Sequence, residues 1–507
     1  MRAKLLGIDV GTGGTRALLI DESGRVLASQ TAEHQPFSSP QTGWAEQDPL
    51  DWWCACRTAV RQLLSASGIS SSEIAAVGFS GQMHGAVLLD ATGEPLRPAL
   101  IWCDQRSARE ASELTQQIGE DRLIAYTCNP ALTNFTLTKL LWVRKHEPQL
   151  FEKFRTLQLP KDYVRFRLTG DYAMDMADAS GTLLLDVAHR RWSKEMAEAA
   201  SIDASVLPKL LESCEVCGTI SKAGSEATGL AAGTPVVTGA GDQAAGAVGL
   251  GVVAPGAVHA TIGTSGVVFA STDRPAMDPH GRLHTFCHAF PNRWHLMGVT
   301  QAAGLSLRWF RDQFATATKP GADPYEILTH EAASAPPASD GVMWAPYLMG
   351  ERTPHLDPDA RAALIGLAAN HGRGHVIRAI LEGVAFSLRD TFSIFEEMKV
   401  PVTNIRLGGG AARSALWRQI QADVYDRAVE IVDVEEGAAY GAALLAGVGA
   451  GVWRTVEDAC RETVRVRISV EPNQETSKIM QRQYRMYRRI YPALRAIRED
   501  SSDSQSS

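Results

Sequence analysis

Asp9 and Asp242 are the acidic residues of this sequence best placed to do chemistry, because each ends a strand-like apolar run and adjoins glycines. Asp9 is followed by Gly11, Thr12, Gly13 and Gly14, then by Thr15 and Arg16. Glycine lets backbone N–H groups approach a phosphate closely. Thr12 and Thr15 add hydroxyl donors, Arg16 adds a cation, and the Asp9 carboxylate could hold Mg²⁺ against the phosphates. Asp242 closes the run PVVTGAG and has no Lys or Arg close by in sequence. Phosphoryl transfer to an alcohol needs such a carboxylate to orient the hydroxyl and take its proton. The structural alternative for Asp242 is capping of a helix that starts near Ala244.

Further glycine elements reinforce a phosphate reading. Gly263, Thr264 and Ser265 form a second strand–turn–strand unit, and residues 404–410 run from a strand into Gly408, Gly409 and Gly410. No Walker A loop is present, and Asp242 and Ala244 interrupt any dinucleotide glycine pattern after Gly239 and Gly241. Met83 and His84 in a glycine-bracketed loop, with Trp102 and Asp104 after another strand, offer polar and aromatic contacts for a small hydroxylated substrate. Taken singly, His84 also reads as a structural histidine and Trp102 as a core aromatic.

These residues need strands that end together. Residues 5–20 read as a β-hairpin, 25–32 as a third strand, and 74–80 and 86–90 as buried strands. Asp48 and Pro49 form a helix start. Near residue 235 the pattern restarts: a short strand at 235–241, a small-residue helix at 244–250, and a second hairpin at 256–271. Helices follow at 375–398, 414–424 and 437–451. Strands interleaved with helices give an α/β fold with mixed sheets. The two hairpins indicate a duplicated architecture, with domains at 1–245 and 246–490 and a cleft between them. Residues 491–507 read as a polar tail, disordered from 499 onward.

At 507 residues the chain exceeds one ordinary core. A formal net charge of −7 argues against a nucleic-acid partner. No apolar run is long enough to span a bilayer, and the first residues do not form a signal peptide. The eight cysteines are scattered and form no disulfide framework. A cytoplasmic enzyme with reduced thiols fits these features.

The segments GIDVGTGGTRALL, GQMHGAVLLD, PALIWCDQR, GAGDQAAGAVGLG, TIGTSGVVFA, PYLMGERTPHLDPDARAALIGL and LGGGAARSALWRQIQADV carry a resemblance that covers nearly the whole chain. It resembles the FGGY family of carbohydrate kinases, whose second signature fits residues 362–382. The GQMHG loop and GERTPH run point to the branch that acts on D-xylulose. Two departures stand out: Cys103 precedes Asp104 where the family usually has Asn, and Asn134 occupies a position usually small or aromatic.

The resemblance implies the ribonuclease H-like, actin-like ATPase fold in two domains. It implies ATP-dependent phosphorylation of D-xylulose to D-xylulose 5-phosphate, with Mg²⁺ as cofactor. Asp242 would be the base and touch the acceptor, and Asp9 would organise Mg²⁺. Met83 and His84 would contact the sugar, with Trp102 and Asp104 beside them. Gly11, Thr12 and Arg16 would form the first phosphate element, Gly263, Thr264 and Ser265 the second, and Gly409 and Gly410 would lie at the adenosine. The expected partners are the sugar and ATP, with self-association into a homodimer left open. Rival readings are an FGGY kinase for ribulose, glycerol or gluconate, or an actin-like ATPase switch with a protein partner.

Overall fold

The structure is a computed structural model that describes residues 3–314, 323–434 and 437–503. The strands that position the site are β1 (Lys4–Val10), β2 (Gly14–Asp21), β3 (Val26–Glu33), β4 (Ile74–Gly81), β5 (Val216–Thr219), β6 (Pro235–Val237), β7 (Ala240–Gly241), β8 (Ala257–Ile262), β9 (Gly266–Thr272), β10 (Trp294–Thr300), β11 (Asn404–Gly408), β12 (Val429–Val432) and β13 (Val466–Val470). The helices are α1 (Pro49–Ser67), α2 (Pro160–Thr169), α3 (Met176–Ala179), α4 (Asp242–Gly249), α5 (Arg373–Glu397), α6 (Ala415–Tyr425), α7 (Gly437–Gly449) and α8 (Ile490–Asp503).

The chain divides into two compact units. The first comprises Met1–Ala254, Ser271–His295 and Val434–Arg465, and the second Pro255–Ala270, Leu296–Asp433 and Val466–Ser507. In the first, the strands run in the order β5-β6-β4-β1-β2-β3, with β7 also paired to β4. β1, β2 and β3 form an antiparallel meander, while β6 and β7 lie parallel to β4 and β4 parallel to β1. The second unit repeats this plan in the order β10-β9-β8-β11-β12-β13. There β8 is antiparallel to β9 and parallel to β11, β11 is parallel to β12, and β13 is an antiparallel edge. The duplication expected from the two hairpins is thus present at the level of the sheets.

Alternation along β1 explains how the first sheet is covered. Leu6, Ile8 and Val10 face one way and join Trp52, Cys56, Val60 and Leu63 of α1. Leu5 faces the other way, with Leu18 and Ile20 of β2, and meets Ala439, Ala443 and Leu444 of α7. Small residues let α7 lie directly on the backbone there. A Cβ on Gly7 would fall 1.9 Å from the Ala439 carbonyl oxygen, and one on Gly78 would fall 2.0 Å from that of Ala442. The same helix packs on α4, where a Cβ on Gly441 would sit 1.8 Å from the Ala245 carbonyl oxygen.

Several boundaries fall where the sequence places them. Asp48 caps α1 by accepting a hydrogen bond from the Leu50 N–H, and Pro49 occupies the first turn. The strand expected over 235–241 is instead broken into β6 and β7, because Gly239 turns the chain at φ +83°. The C-terminal stretch also differs from expectation: α8 continues to Asp503, so the backbone from 499 to 503 is helical. Residues 504–507, the rest of the expected disordered tail, lie outside the described residues. Among the described residues no helix is long and apolar enough to cross a membrane.

Candidate active site

In the first unit, three neighbouring strands bring the two acids to one sheet end. β4 is the common partner: Ser80 pairs in register with Asp9 of β1 and with Ala240 of β7, and Gly81 pairs with Val10 and Gly241. Asp9 is thus one residue short of the end of β1, and Asp242 begins the helix directly after β7. The Ser80 hydroxyl donates to Asp9 Oδ1 at 2.6 Å. Asp9 Oδ2 receives no hydrogen bond among the described residues. Burial raises the Asp9 carboxyl above its ordinary range, against the Ser80 bond and the nearby charge of Arg16. Arg16 lies opposite Asp9 on β2 and also donates to Thr31 at 3.3 Å.

Asp242 is not a capping residue. Gly241 holds the cap position, without a side-chain bond, and Asp242 is the first residue of α4. A carboxylate there sits at the positive end of the helix dipole. Even so, burial and then the charge of Asp9 push its pKa up to about 7, against hydrogen bonds from Gln243. A carboxylate that titrates near neutrality suits a general base at physiological pH.

Beside these acids, Met83 is buried, and its Cγ lies 2.8 Å from where a Cβ on Gly241 would be. His84 follows in a left-handed conformation, φ +66°. Its Nδ1 lies 2.8 Å from the Gly181 carbonyl, so Nδ1 carries the proton, and Asn134 Nδ2 lies 3.3 Å from Nε2. The Lys139 ammonium and the Thr136 hydroxyl both donate to the His84 carbonyl, at 3.1 Å each. The His84 carbonyl and both of its ring nitrogens thus already meet groups of the chain.

The first glycine turn is held by a polar network that sequence reasoning missed. Gln47 donates to the Thr12 carbonyl at 2.8 Å, and its own carbonyl accepts from Gln82 at 2.8 Å and from the Trp52 indole at 3.2 Å. Trp102, 41% exposed, donates its indole N–H to the Thr12 hydroxyl at 3.0 Å. Asp104 departs from expectation. It is fully buried, and its two oxygens accept from the Ala45 N–H at 2.6 Å and from a bidentate Arg106 at 2.7–3.0 Å. The carboxylate expected beside the substrate is instead spent on an internal ion pair. Gln47 and Gln82 gave only one signal, a polar residue next to an apolar run.

In the second unit the β8–β9 turn is one residue tighter than the first. Gly263 N–H donates to the Ser265 carbonyl at 3.0 Å, as Gly11 N–H does to Gly14 at 3.0 Å. Thr264 and Ser265 occupy this turn. Gly409, at φ +77°, passes so close to β8 that a Cβ would lie 2.4 Å from the Ile262 carbonyl oxygen, while Gly410 has open space around its Cα. A short 3₁₀ turn, Gly410–Arg413, leads into α6, which starts at Ala415, within one residue of the helix expected over 414–424.

Comparisons with known proteins agree with this geometry. Residues 4–249 match the N-terminal domain, and residues 258–450 the C-terminal domain, of the FGGY family of carbohydrate kinases. The chain is 37% identical to xylulose kinase of Bacillus subtilis over 487 residues, covering 96% of each chain. It is 39% identical to xylulose kinase of Escherichia coli over 490 residues, covering 96% of this chain and 99% of the other. A crystal structure described as a xyloylose kinase from Brucella ovis superposes with a TM-score of 0.90 at 36% identity, covering 97% of this chain and all of that one. The fold is the two-domain α/β fold of the actin-like ATPases. Paired acids at one sheet end, two glycine–threonine turns and full-length matches in both halves lead to one conclusion: the chain belongs to the FGGY family of carbohydrate kinases.

Proposed function

We propose that this enzyme transfers the γ-phosphoryl group of ATP to the 5-hydroxyl of D-xylulose, with Asp242 as base. The observation that carries the reading is Asp242 itself: a half-buried carboxyl at the head of α4, beside Asp9, with its pKa raised to about 7. Asp242 would accept the hydroxyl proton as the oxygen attacks phosphorus in line. Met83, His84 and Trp102 would line the sugar. The turn of Gly11 and Thr12, with Arg16, would hold phosphate oxygens, as would the turn of Gly263, Thr264 and Ser265. Gly409 and Gly410 would lie at the adenosine.

The residues present fit a magnesium ion. Ser80 engages only one oxygen of Asp9, which leaves the other as a hard donor. Among the described residues no group of three or more His, Cys, Asp or Glu could form a metal cage. That suits an ion held by one carboxylate together with substrate phosphates. Mg²⁺ so held would offset the charge of the transferring phosphoryl group.

The test is ADP release by purified enzyme with ATP and Mg²⁺, across D-xylulose, D-ribulose, glycerol and gluconate, with a no-acceptor control. The reading expects selective stimulation by D-xylulose, abolished in Asp242→Asn. Better stimulation by another acceptor would replace the substrate and keep the base. ATP turnover indifferent to every acceptor would favour the nucleotide-switch reading.

A further inference from the structure

Beneath Gly241 lies a cluster of five ionisable side chains, all with 0% exposure: Lys161, Asp162 and Arg165 of α2, and Asp175 and Asp178 at and within α3. Lys161 Nζ lies 2.6 Å from Asp162 Oδ1, 2.6 Å from Asp175 Oδ2 and 3.4 Å from Asp178 Oδ2. Arg165 donates to Asp162 at 2.7 Å and to the Thr238 carbonyl at 2.8 Å. Two cations thus face three carboxyls. Taking charges out of water is costly, and apolar residues of similar volume often stabilise a core as well or better. Stability alone is therefore a weak reason for the cluster.

Its location offers a better one. The Thr238 carbonyl gripped by Arg165 immediately precedes Gly239, the turn that separates β6 from β7. Lys161 packs under β4, where its Cβ lies 3.0 Å from the position of a Cβ on Gly81, the pairing partner of both Val10 and Gly241. Asp178 Oδ1 lies 3.1 Å from the position of a Cβ on Gly241, the residue before Asp242. Neither Asp178 oxygen receives a hydrogen bond among the described residues, so Lys161 is its nearest compensating charge. Burial and the surrounding carboxylates, Asp242 included, disfavour charge on Asp178. Lys161 is under the opposite pressure: burial disfavours its charge, but Asp162, Asp175 and Asp178 outweigh it and raise its pKa.

We propose that Lys161 is a positioning residue for Asp242: its ammonium binds Asp175 and Asp178 beneath Gly241 and so fixes the strand end from which Asp242 projects. Without that ammonium, Asp175 and Asp178 would lose the cation that ties them together beneath the Gly241 backbone, and Gly241 would shift with them. The proposal rests on the reading of Asp242 as the base.

The test is a double-mutant cycle on the full-length enzyme with Lys161→Met and Asp178→Asn, reading kcat, KM for each substrate and thermal unfolding. Lys161→Met is expected to lower kcat roughly 10- to 100-fold, the scale of a misplaced reacting group. The KM values for ATP and D-xylulose should stay near wild type. Adding Asp178→Asn should recover part of that loss, because it removes a buried carboxyl that has lost its one close cation. A Lys161→Met enzyme that melts lower but keeps its kcat would overturn the proposal, and so would effects of the two changes that simply add. If Lys161→Met does not fold, Lys161→Arg carries the test. It keeps the charge but not the compact geometry, and must still lower kcat with both KM values unchanged, or the proposal fails. Asp242→Asn in the same assay separates the two readings. If it stays active, the base assignment fails; if it is inactive while Lys161→Met is unimpaired, only the positioning role fails.

Discussion

Replacing Gly441 by alanine tests whether the packing of α7 on α4 sets the position of Asp242. The new methyl carbon would lie 1.8 Å from the Ala245 carbonyl oxygen, 2.7 Å from its carbonyl carbon and 2.9 Å from the Gly249 nitrogen. All three atoms are backbone of α4, so no side-chain rotation relieves the clash. Reaching ordinary contact at 3.4 Å requires the helices to part by 3.4 − 1.8 = 1.6 Å. α4 begins at Asp242, so the shift is carried into the site. A displacement of about 1 Å costs roughly 100-fold in rate. Overpacking costs about 1–3 kcal/mol, only partly offset by the gain of about 1 kcal/mol that alanine has over glycine inside a helix. Gly246→Ala is the matched control on α4, since its nearest neighbour is the Ala438 nitrogen at 4.0 Å. The assay is D-xylulose-dependent ADP release alongside thermal unfolding. Gly441→Ala should lose both rate and stability, whereas Gly246→Ala should melt no lower than wild type and keep its rate. A Gly441→Ala enzyme with wild-type kcat would refute the argument that α7 packing sets the position of Asp242.

Other perturbations follow from the same geometry. Ser80→Ala removes the 2.6 Å bond to Asp9, a charged hydrogen bond worth about 1.5–3 kcal/mol. The Mg²⁺ concentration for half-maximal rate should rise while KM for the sugar stays put. Because Asp242 must be deprotonated to act and its pKa is pushed to about 7, kcat/KM for D-xylulose should fall on the acid side with a midpoint near neutrality; a flat profile from pH 6 to 8 would count against it. Glu351 of the second unit is buried, accepts from Thr300 at 2.5 Å and from the Gln301 and Arg352 N–H groups, and still titrates up at about 7 because of burial. Its folded pKa is raised, so its contribution to stability is fully present below the unfolded value of about 4.3 and is lost as pH rises through 7. The melting temperature of Glu351→Gln should therefore depend less on pH between 5 and 8 than that of wild type.

Local sequence was informative wherever local physics decides structure. The glycine–threonine turn after Asp9, the Asp48–Pro49 helix start and the apolar alternation of β1 are all set by neighbouring residues. Asp242 stood out in the sequence because it follows two glycines at a strand end with no Lys or Arg close by, and a helix cap was its structural alternative. The break at Gly239 was not legible, since TGAG reads equally well as continuous strand, and only the close approach of the Phe79 backbone forces the turn. Gln47, Gln82, Asp178 and Lys161 were also missed. Gln47 and Gln82 meet each other and the first glycine turn across long stretches of sequence, Lys161 meets Asp175 and Asp178 of a later element, and a buried charge pair leaves no periodic trace. Asp104 shows the converse: its position after a strand suggested a ligand, but Arg106, two residues on, takes both of its oxygens.

The placement of α7 has a consequence for how the protein is made. The first unit runs through Ala254 but also takes in Ser271–His295 and Val434–Arg465, and α7, in the last of these, covers one face of its central strands. During synthesis β1 and β4 leave the ribosome early, and the face carrying Leu5, Gly7 and Gly78 must wait for a helix that starts at Gly437. From Ala254 to Gly437 is 437 − 254 = 183 residues, roughly 10–40 s of elongation at about 5–20 residues per second. For that interval the nascent sheet carries an uncovered apolar surface of the kind chaperones bind. Residues 1–295 expressed alone should therefore aggregate, and supplying 434–465 in trans should improve their solubility.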